Sequence, residues 1–127
     1  MGRDMAGARH FRELVCWQLS RDLKLAVYEV IERPNIRKDF KFCDQLREAA
    51  RSAPRNIAEG FSRRTHADFA RLLDIARGSL AECQNHLQDA LDLGYLDAAE
   101  FQRMDSLAAR TAGAVARLQR YLRGRGQ

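Results

Sequence analysis

Apolar residues recur at three- and four-residue steps through most of the chain, which is the spacing of one side of an α-helix. The stretch 42–64 shows this spacing most clearly. Its apolar side is formed by Leu46, Ala49, Ala50, Ala53 and Ile57. Because three of these five residues are alanines, that side is narrow and a neighbouring helix can approach it closely. No run alternates between apolar and polar residues as a half-buried strand does, so the pattern predicts an all-α fold.

Prolines and a glycine delimit the first two helices. The first is predicted to run from about Phe11 to Arg33, where Pro34 stops it. The second contains Pro54, which we expect to kink the helix rather than break it, since the apolar spacing continues unshifted beyond it. Gly60 is predicted to end this helix in the left-handed conformation that glycine adopts at little cost.

Capping signals delimit the last two helices. Thr65, with Asp68 three residues later, resembles a capping box at the start of the third helix. Gly94 is predicted to stop that helix. Asp97, with Glu100 three residues later, is the start signal of the fourth. Both links are short, which favours helices that lie antiparallel to their neighbours.

These elements predict an antiparallel up-down four-helix bundle. We assign the bundle to residues 11–123, preceded by a flexible tail at 1–10 and followed by a frayed C-terminus at 124–127. A chain of 127 residues is long enough for one domain with a single core. Since it has neither an apolar run of membrane-spanning length nor a secretory signal, we expect a cytoplasmic protein without membrane contact.

The first predicted helix carries two apolar strips that are divided by polar residues. The first strip consists of Leu14, Trp17, Leu25 and Tyr28, interrupted by Arg21. The second strip consists of Val15, Leu19, Leu23, Ala26 and Val30. A helix with two apolar strips usually contacts two surfaces. We expect one to be its own bundle and the other a neighbouring subunit.

Arginine dominates the positive charge of the chain. The net charge is +5, and among 22 cationic residues only Lys24, Lys38 and Lys41 are lysines. Many of the arginines fall into two stripes. The first arginine stripe is Arg47, Arg51, Arg55, Arg63 and Arg64, and the second arginine stripe is Arg103, Arg110, Arg117, Arg120 and Arg123. Either stripe could bind the phosphates of RNA or DNA. The alternatives are a solvated face balanced by acids, a response to the helix dipole, or a bias in composition.

Two polar residues near Pro54 call for a specific explanation. The Asn56 amide could satisfy a backbone carbonyl that the proline leaves without its donor, which would be that of Ala50. Glu59 could pair with Arg55, one turn earlier, or with an arginine of another subunit. A structural role for both is the first hypothesis, and a direct ligand contact is the second.

Three motifs together resemble one known family. They are Phe11, Leu14 and Trp17; the run Asn56-Ile57-Ala58-Glu59-Gly60 with Pro54 before it; and Ala76 followed by Gly78-Ser79-Leu80. This pattern is similar to the 23S rRNA intervening-sequence protein family. The resemblance implies four-helix bundles that form ring-like homopentamers, with no established catalytic activity and a presumed role in nucleic-acid binding. It also implies a relation to the accessory variability determinant proteins of diversity-generating retroelements, which work with a reverse transcriptase and RNA. We therefore assign structural or interface roles to Trp17, Pro54, Asn56, Glu59 and Gly60.

Catalytic and metal-binding motifs are not recognisable in the sequence. Cys83 and His86 form one C-x-x-H pair without a second pair at metal-ligand spacing. Cys16, Cys43 and Cys83 are far apart, and we expect buried, reduced thiols. No nucleophile elbow or phosphate-binding glycine loop is present. We expect no catalytic residue, metal or cofactor.

The sequence thus predicts a non-enzymatic homo-oligomer, a pentamer by resemblance, that binds RNA or DNA through its arginine stripes. The alternative is a protein-interaction scaffold or an accessory subunit of a nucleic-acid enzyme, without direct nucleic-acid contact.

Overall fold

Four α-helices form most of the part of the protein that the structure describes. The computed structural model describes residues 7–124. After a 3₁₀ turn at Phe11–Glu13, the helices are α1 (Val15–Ile31), α2 (Phe40–Phe61), α3 (His66–Asp92) and α4 (Ala98–Gly124). α1 and α3 each pack against both α2 and α4. Because consecutive helices are neighbours joined by short links, the arrangement is an up-down bundle, and the predicted all-α four-helix fold is confirmed.

The predicted tail and frayed end fall largely outside the part of the chain that the structure describes. Residues 1–6 and 125–127 lie beyond it, and Gly124 is the last residue of α4. Within the range 7–124, none of the helices has the combination of length and hydrophobicity that a membrane span requires.

The first α-helix is shorter than the sequence predicts. It begins at Val15 rather than near Phe11 and ends at Ile31 rather than Arg33. The start is displaced because Leu14 is extended, with φ −74° and ψ 132°, and separates the 3₁₀ turn from the helix. Leu14 is nevertheless fully buried, so the extended residue anchors the N-terminal segment in the core.

α2 runs without a break through Pro54, as predicted, and Asp39 caps its first turn by accepting from the Phe42 amide. The prediction for Gly60 is wrong. Gly60 is a helical, buried residue inside α2 and does not end it. A Cβ at this position would lie 2.6 Å from Cδ1 of Phe69, so the glycine is required by the close approach of α3.

The capping signals of the last two helices are confirmed. The Thr65 side chain accepts from the Asp68 amide at 3.1 Å, and the Asp97 carboxylate accepts from the Glu100 amide at 2.8 Å. Gly94 has a φ of 78°, the left-handed conformation expected of a glycine that follows a helix.

The core face of α1 lies between the two strips that the sequence suggests. Its buried residues are Cys16, Ser20, Leu23, Val27, Val30 and Ile31. Leu23 and Val30 belong to the second strip, whereas the other four belong to neither. Trp17 and Tyr28 are half-buried, and Leu25 is 43% exposed. Apart from Leu14, Leu23 and Val30, which are buried, the residues of the two strips therefore lie on the flanks of the helix.

Arg33 ties the end of α1 to the start of α4. Its guanidinium donates to both carboxylate oxygens of Glu100, at 3.1 and 2.6 Å, and also to Glu29 at 2.8 Å. The bidentate bond holds the pKa of Glu100 below its usual value. This clamp links α1 and α4, and the groove between these two helices is described below.

Candidate nucleic-acid interface

Most arginines of the first arginine stripe already have a carboxylate partner in the chain. The ion pairs are Arg47 with Asp44 at 2.7 Å, Arg55 with Glu48 at 3.1 Å, and Arg63 with Glu59 at 2.6 Å. Exposed pairs of this kind contribute at most about 1 kcal/mol, so a phosphate could still compete for the cations. The net positive charge along this stripe is nevertheless much reduced. Of its five members, Arg64 has no ion pair or hydrogen bond with any residue in 7–124.

Glu59 pairs with a different arginine from the one predicted. Arg55 and Arg63 are both four residues away from it, and the structure selects Arg63, at 2.6 Å. Arg55 instead reaches back two turns to Glu48. Glu59 remains exposed, and a contact with another subunit stays a prediction.

Asn56 hydrogen-bonds a different carbonyl from the one predicted. Its amide donates to the Ser52 carbonyl at 2.8 Å and to the Ser52 hydroxyl at 3.1 Å, rather than to the Ala50 carbonyl. The Ser52 hydroxyl is also 2.6 Å from that of Ser79 on α3. The amide nitrogen of Asn56 thus joins a polar contact between α2 and α3, and a direct ligand contact of Asn56 stays a prediction.

The arginines of the second arginine stripe are differently placed. They are all exposed side chains on the outer side of α4. None forms an ion pair or a hydrogen bond with any part of the chain that the structure describes. Arg103, Arg110 and Arg117 follow one another at seven-residue steps along one flank, and Arg120 and Arg123 lie progressively further around the helix. This is the largest group of uncompensated cations on the described surface.

A groove between α1 and α4 borders the second arginine stripe. This α1/α4 groove is lined by Val15, Leu19, Ala109, Arg110, Gly113 and Arg117, and its volume is about 520 Å³. The Arg117 guanidinium lies over Gly113, where an added Cβ would be 3.6 Å from its Nη1 atom. The half-buried second strip of α1 thus forms an apolar floor beside two arginines that lack partners among residues 7–124.

A second groove lies between α1 and α2. This α1/α2 groove has a volume of about 380 Å³ and is lined by Phe11, Trp17, Lys24, Tyr28, Arg51, Pro54, Arg55 and Ala58. The rings of Phe11 and Trp17 meet edge to face, with centroids 5.2 Å apart. The predicted interface residue Trp17 is therefore half-buried at the wall of a groove, and its contact with another subunit stays a prediction.

Tyr28 contacts two of the cations that line the α1/α2 groove. Nε of Arg51 donates to its hydroxyl at 2.9 Å, and this bond raises the pKa of Arg51. The guanidinium carbon of Arg51 is 5.5 Å from the ring centroid, and Nζ of Lys24 is 5.8 Å from it. Lys24 and Tyr28 were not predicted from the sequence as a joint site. The signal was their four-residue spacing, which places them on the same side of a helix.

The three cysteines lie in the interior. Cys16, Cys43 and Cys83 are buried thiols, as predicted, and burial raises the pKa of Cys83 to about 12. A thiol with so high a pKa is a poor nucleophile or metal ligand. In the described range, no three His, Cys, Asp or Glu side chains are grouped so that they could hold a metal ion.

Comparison with known proteins agrees with the architecture. A model of a family described as "23S rRNA-intervening sequence protein" matches residues 12–116. A solved structure with a similar fold is that of a protein with unknown function from the S23 ribosomal protein family of Bacteroides thetaiotaomicron VPI-5482. The two superpose with a TM-score of 0.75 at 18% identity, covering 83% of this chain and 98% of that one. At this identity the likeness shows the fold alone. No curated protein matches the chain.

Proposed function

The chain belongs to the 23S rRNA-intervening sequence protein family, and from this membership we propose that it is a non-enzymatic homo-oligomer that binds RNA or DNA. In this proposal the protein works in the cytoplasm without a cofactor. The phosphate-binding surface is the second arginine stripe, with the first arginine stripe in a secondary role.

The observation that carries the proposal is that no arginine of the second arginine stripe forms an ion pair within the described residues, although Arg103 lies near enough to Glu100 to help lower its pKa. Five exposed guanidinium groups on one helix repel one another unless anions neutralise them. Phosphates do so with favourable bidentate geometry, and they release condensed counterions when they bind. The first arginine stripe has three carboxylate partners of its own, so it gains less from phosphate.

The flanks of α1 support the homo-oligomer. Val15, Leu19 and Ala26 on one flank are only half-buried, and Leu25 on the outer side is 43% exposed. On α3, Ile75 is 45% exposed as well. Burial of these side chains against other copies is favourable, and a closed symmetric assembly would repeat each arginine stripe around its axis. Several weak phosphate contacts then act together through avidity. Five subunits is the number that the family resemblance implies.

The test is a charge reversal on α4 with a control of equal charge. We expect Arg117→Glu/Arg120→Glu to weaken RNA or DNA binding about tenfold or more, and to reduce the salt dependence of the affinity by roughly one unit of slope per lost phosphate contact. The control is Arg37→Glu/Arg71→Glu, which changes the net charge equally at exposed sites outside both stripes. Fluorescence anisotropy across a salt series measures both effects. Equal losses in the two variants would contradict the proposal.

The second candidate function is an accessory subunit that binds a nucleic-acid enzyme rather than the nucleic acid. It is favoured by the three ion pairs that neutralise much of the first arginine stripe. It predicts no nucleic-acid binding by the protein alone at low salt. The same anisotropy series therefore separates the two functions.

A further inference from the structure

We propose that the α1/α2 groove binds a base of single-stranded RNA or DNA, with the neighbouring phosphates on Lys24, Arg51 and Arg55. The inference rests on the proposed function and adds to it a class of ligand. The second arginine stripe binds any polyanion of suitable spacing, whereas the α1/α2 groove selects a strand whose bases are unpaired.

The α1/α2 groove is large enough for a small planar group. Its volume of about 380 Å³ is within the usual range of small-ligand sites, about 300–1,000 Å³. The α2 wall includes Pro54, which is buried, and Ala58, which has a short side chain. The other α2 residues of the lining are Arg51 and Arg55, and the Arg51 guanidinium lies toward the Tyr28 ring.

The aromatic residues of the groove pack against the core but are not enclosed by it. Phe11, Trp17 and Tyr28 are all half-buried, while the core face of α1 is formed by other residues. Half-exposed aromatic rings in a cationic groove are the usual platform on which bases of a single strand stack. The bases of a duplex are stacked and paired with one another, so they cannot reach such a platform.

The charges around the groove favour an anion beside the Tyr28 ring. Of the three cations, Arg55 alone has a carboxylate partner among residues 7–124, namely Glu48 at 3.1 Å. Arg51 is held by the neutral hydroxyl of Tyr28, and Lys24 lies against the Tyr28 ring. Neither cation forms an ion pair with a described residue, although the Glu48 carboxylate acts on Arg51 from a longer distance. A nucleotide combines the two required features, a flat ring and an adjacent negative charge.

The cations beyond the groove favour a nucleic-acid strand over an acidic peptide as its ligand. Arg47, Arg51 and Arg55 follow one another at single helical turns, a rise of about 6 Å each. Arg47 and Arg51 also line a further recess of about 220 Å³ with Tyr28, Ile31 and Glu32. The cations thus form a row that leads away from the α1/α2 groove, along which a sugar–phosphate backbone can continue in a repeating manner.

The test uses Trp17, which is the only tryptophan of the chain. Its fluorescence reports directly on the α1/α2 groove in the full-length protein. We expect single-stranded RNA and DNA oligonucleotides to quench it, and the difference between the two to show which is preferred. A duplex of the same sequence and an abasic oligonucleotide should bind without quenching. Equal quenching by the abasic strand would overturn the proposal, since no base would then be involved.

Variants give a second, independent readout. Tyr28→Leu keeps an apolar side chain but removes the ring, and we expect it to weaken single-strand binding about tenfold while duplex binding is unchanged. Phe40→Leu is the matched control, because Phe40 is 74% exposed and lies outside the groove. Tyr28→Phe keeps the ring and should retain the affinity for single strands. If Tyr28→Leu does not fold, the quenching experiment on the unmodified protein still decides.

The outcomes separate this inference from the proposed function. One outcome contradicts only the inference about the α1/α2 groove. In it, nucleic-acid binding depends on Arg117 and Arg120, but Trp17 fluorescence does not change on binding and Tyr28→Leu binds as well as the unmodified protein. Quenching by an acidic peptide but not by single strands assigns the groove to a protein partner and also contradicts the proposal. Absence of binding to any nucleic acid contradicts both.

Discussion

The glycines of this bundle occupy positions with different physical constraints, and the sequence does not distinguish these constraints. Gly94 adopts a φ of 78° after α3, which only glycine does at little cost. Gly60 is helical and makes room for Phe69, whereas Gly78 is helical with nothing within 4 Å of where its Cβ would be. A glycine near a predicted helix end fits both a left-handed turn and a close helix contact. The choice for Gly60 depended on where α3 packs, which is not local information.

These glycines give a paired prediction. We expect Gly60→Ala to destabilise the protein by about 1–3 kcal/mol, because the methyl group overlaps the Phe69 ring. Gly78→Ala should instead stabilise it by about 0.5–1 kcal/mol, because alanine lowers the entropic cost of an exposed helical position. Urea unfolding of both variants, followed by circular dichroism at one protein concentration, measures the difference. Equal effects of the two substitutions would show that the space around Gly60 does not matter.

At the scale of the helices, the starts and stops that depend on local chemistry were predictable, and the facing of α1 was not. Thr65, Asp97 and Gly94 act through hydrogen bonds or backbone angles within a few residues of themselves. The core face of α1 includes Cys16 and Ser20, which a search for large apolar residues passes over, while larger residues occupy the flanks. Which side faces inward is decided by the positions of α2 and α4.

The clamp between α1 and α4 predicts a pH dependence. Because Arg33 lowers the pKa of folded Glu100 below its ordinary value of 4.5, the pair contributes stability above that pH. The contribution is lost as the pH falls through the lowered pKa. We expect Glu100→Gln to cost about 1 kcal/mol at neutral pH, with the difference from the unmodified protein shrinking at acid pH. Unfolding free energies measured from neutral to acid pH test this.

The control for the clamp is Glu29→Gln, which removes the more exposed partner of the same arginine. The Glu29 side chain is 66% exposed, against 22% for Glu100, so solvent screens it more strongly. Its substitution should have a smaller effect at neutral pH. A larger effect at Glu29 than at Glu100 would mean that the contact between α1 and α4 is not what stabilises the pair.

At the scale of the whole molecule, the sequence located both arginine stripes but could not rank them. The spacing of the arginines along each helix can be read from the sequence. Which arginines are neutralised depends on carboxylates one or two turns away and on which of several possible partners each one pairs with. Glu59 could have paired with either Arg55 or Arg63, and Glu48 decided the outcome. The structure leaves the cations of α4 without partners in the described chain and places aromatic residues beside those of α2. If several copies assemble, both surfaces are repeated and their contacts with nucleic acid act together.

The most direct measurement is the mass of the protein in solution with a nucleic acid, determined by light scattering during size-exclusion chromatography. A homo-oligomer that binds nucleic acid predicts one peak that contains both components, with a protein mass several times the 14.5 kDa of the chain and equal to five chains for a pentamer. A 14.5 kDa protein peak separate from the nucleic acid, at protein concentrations where the oligomer should form and at low salt, would contradict both assembly and binding.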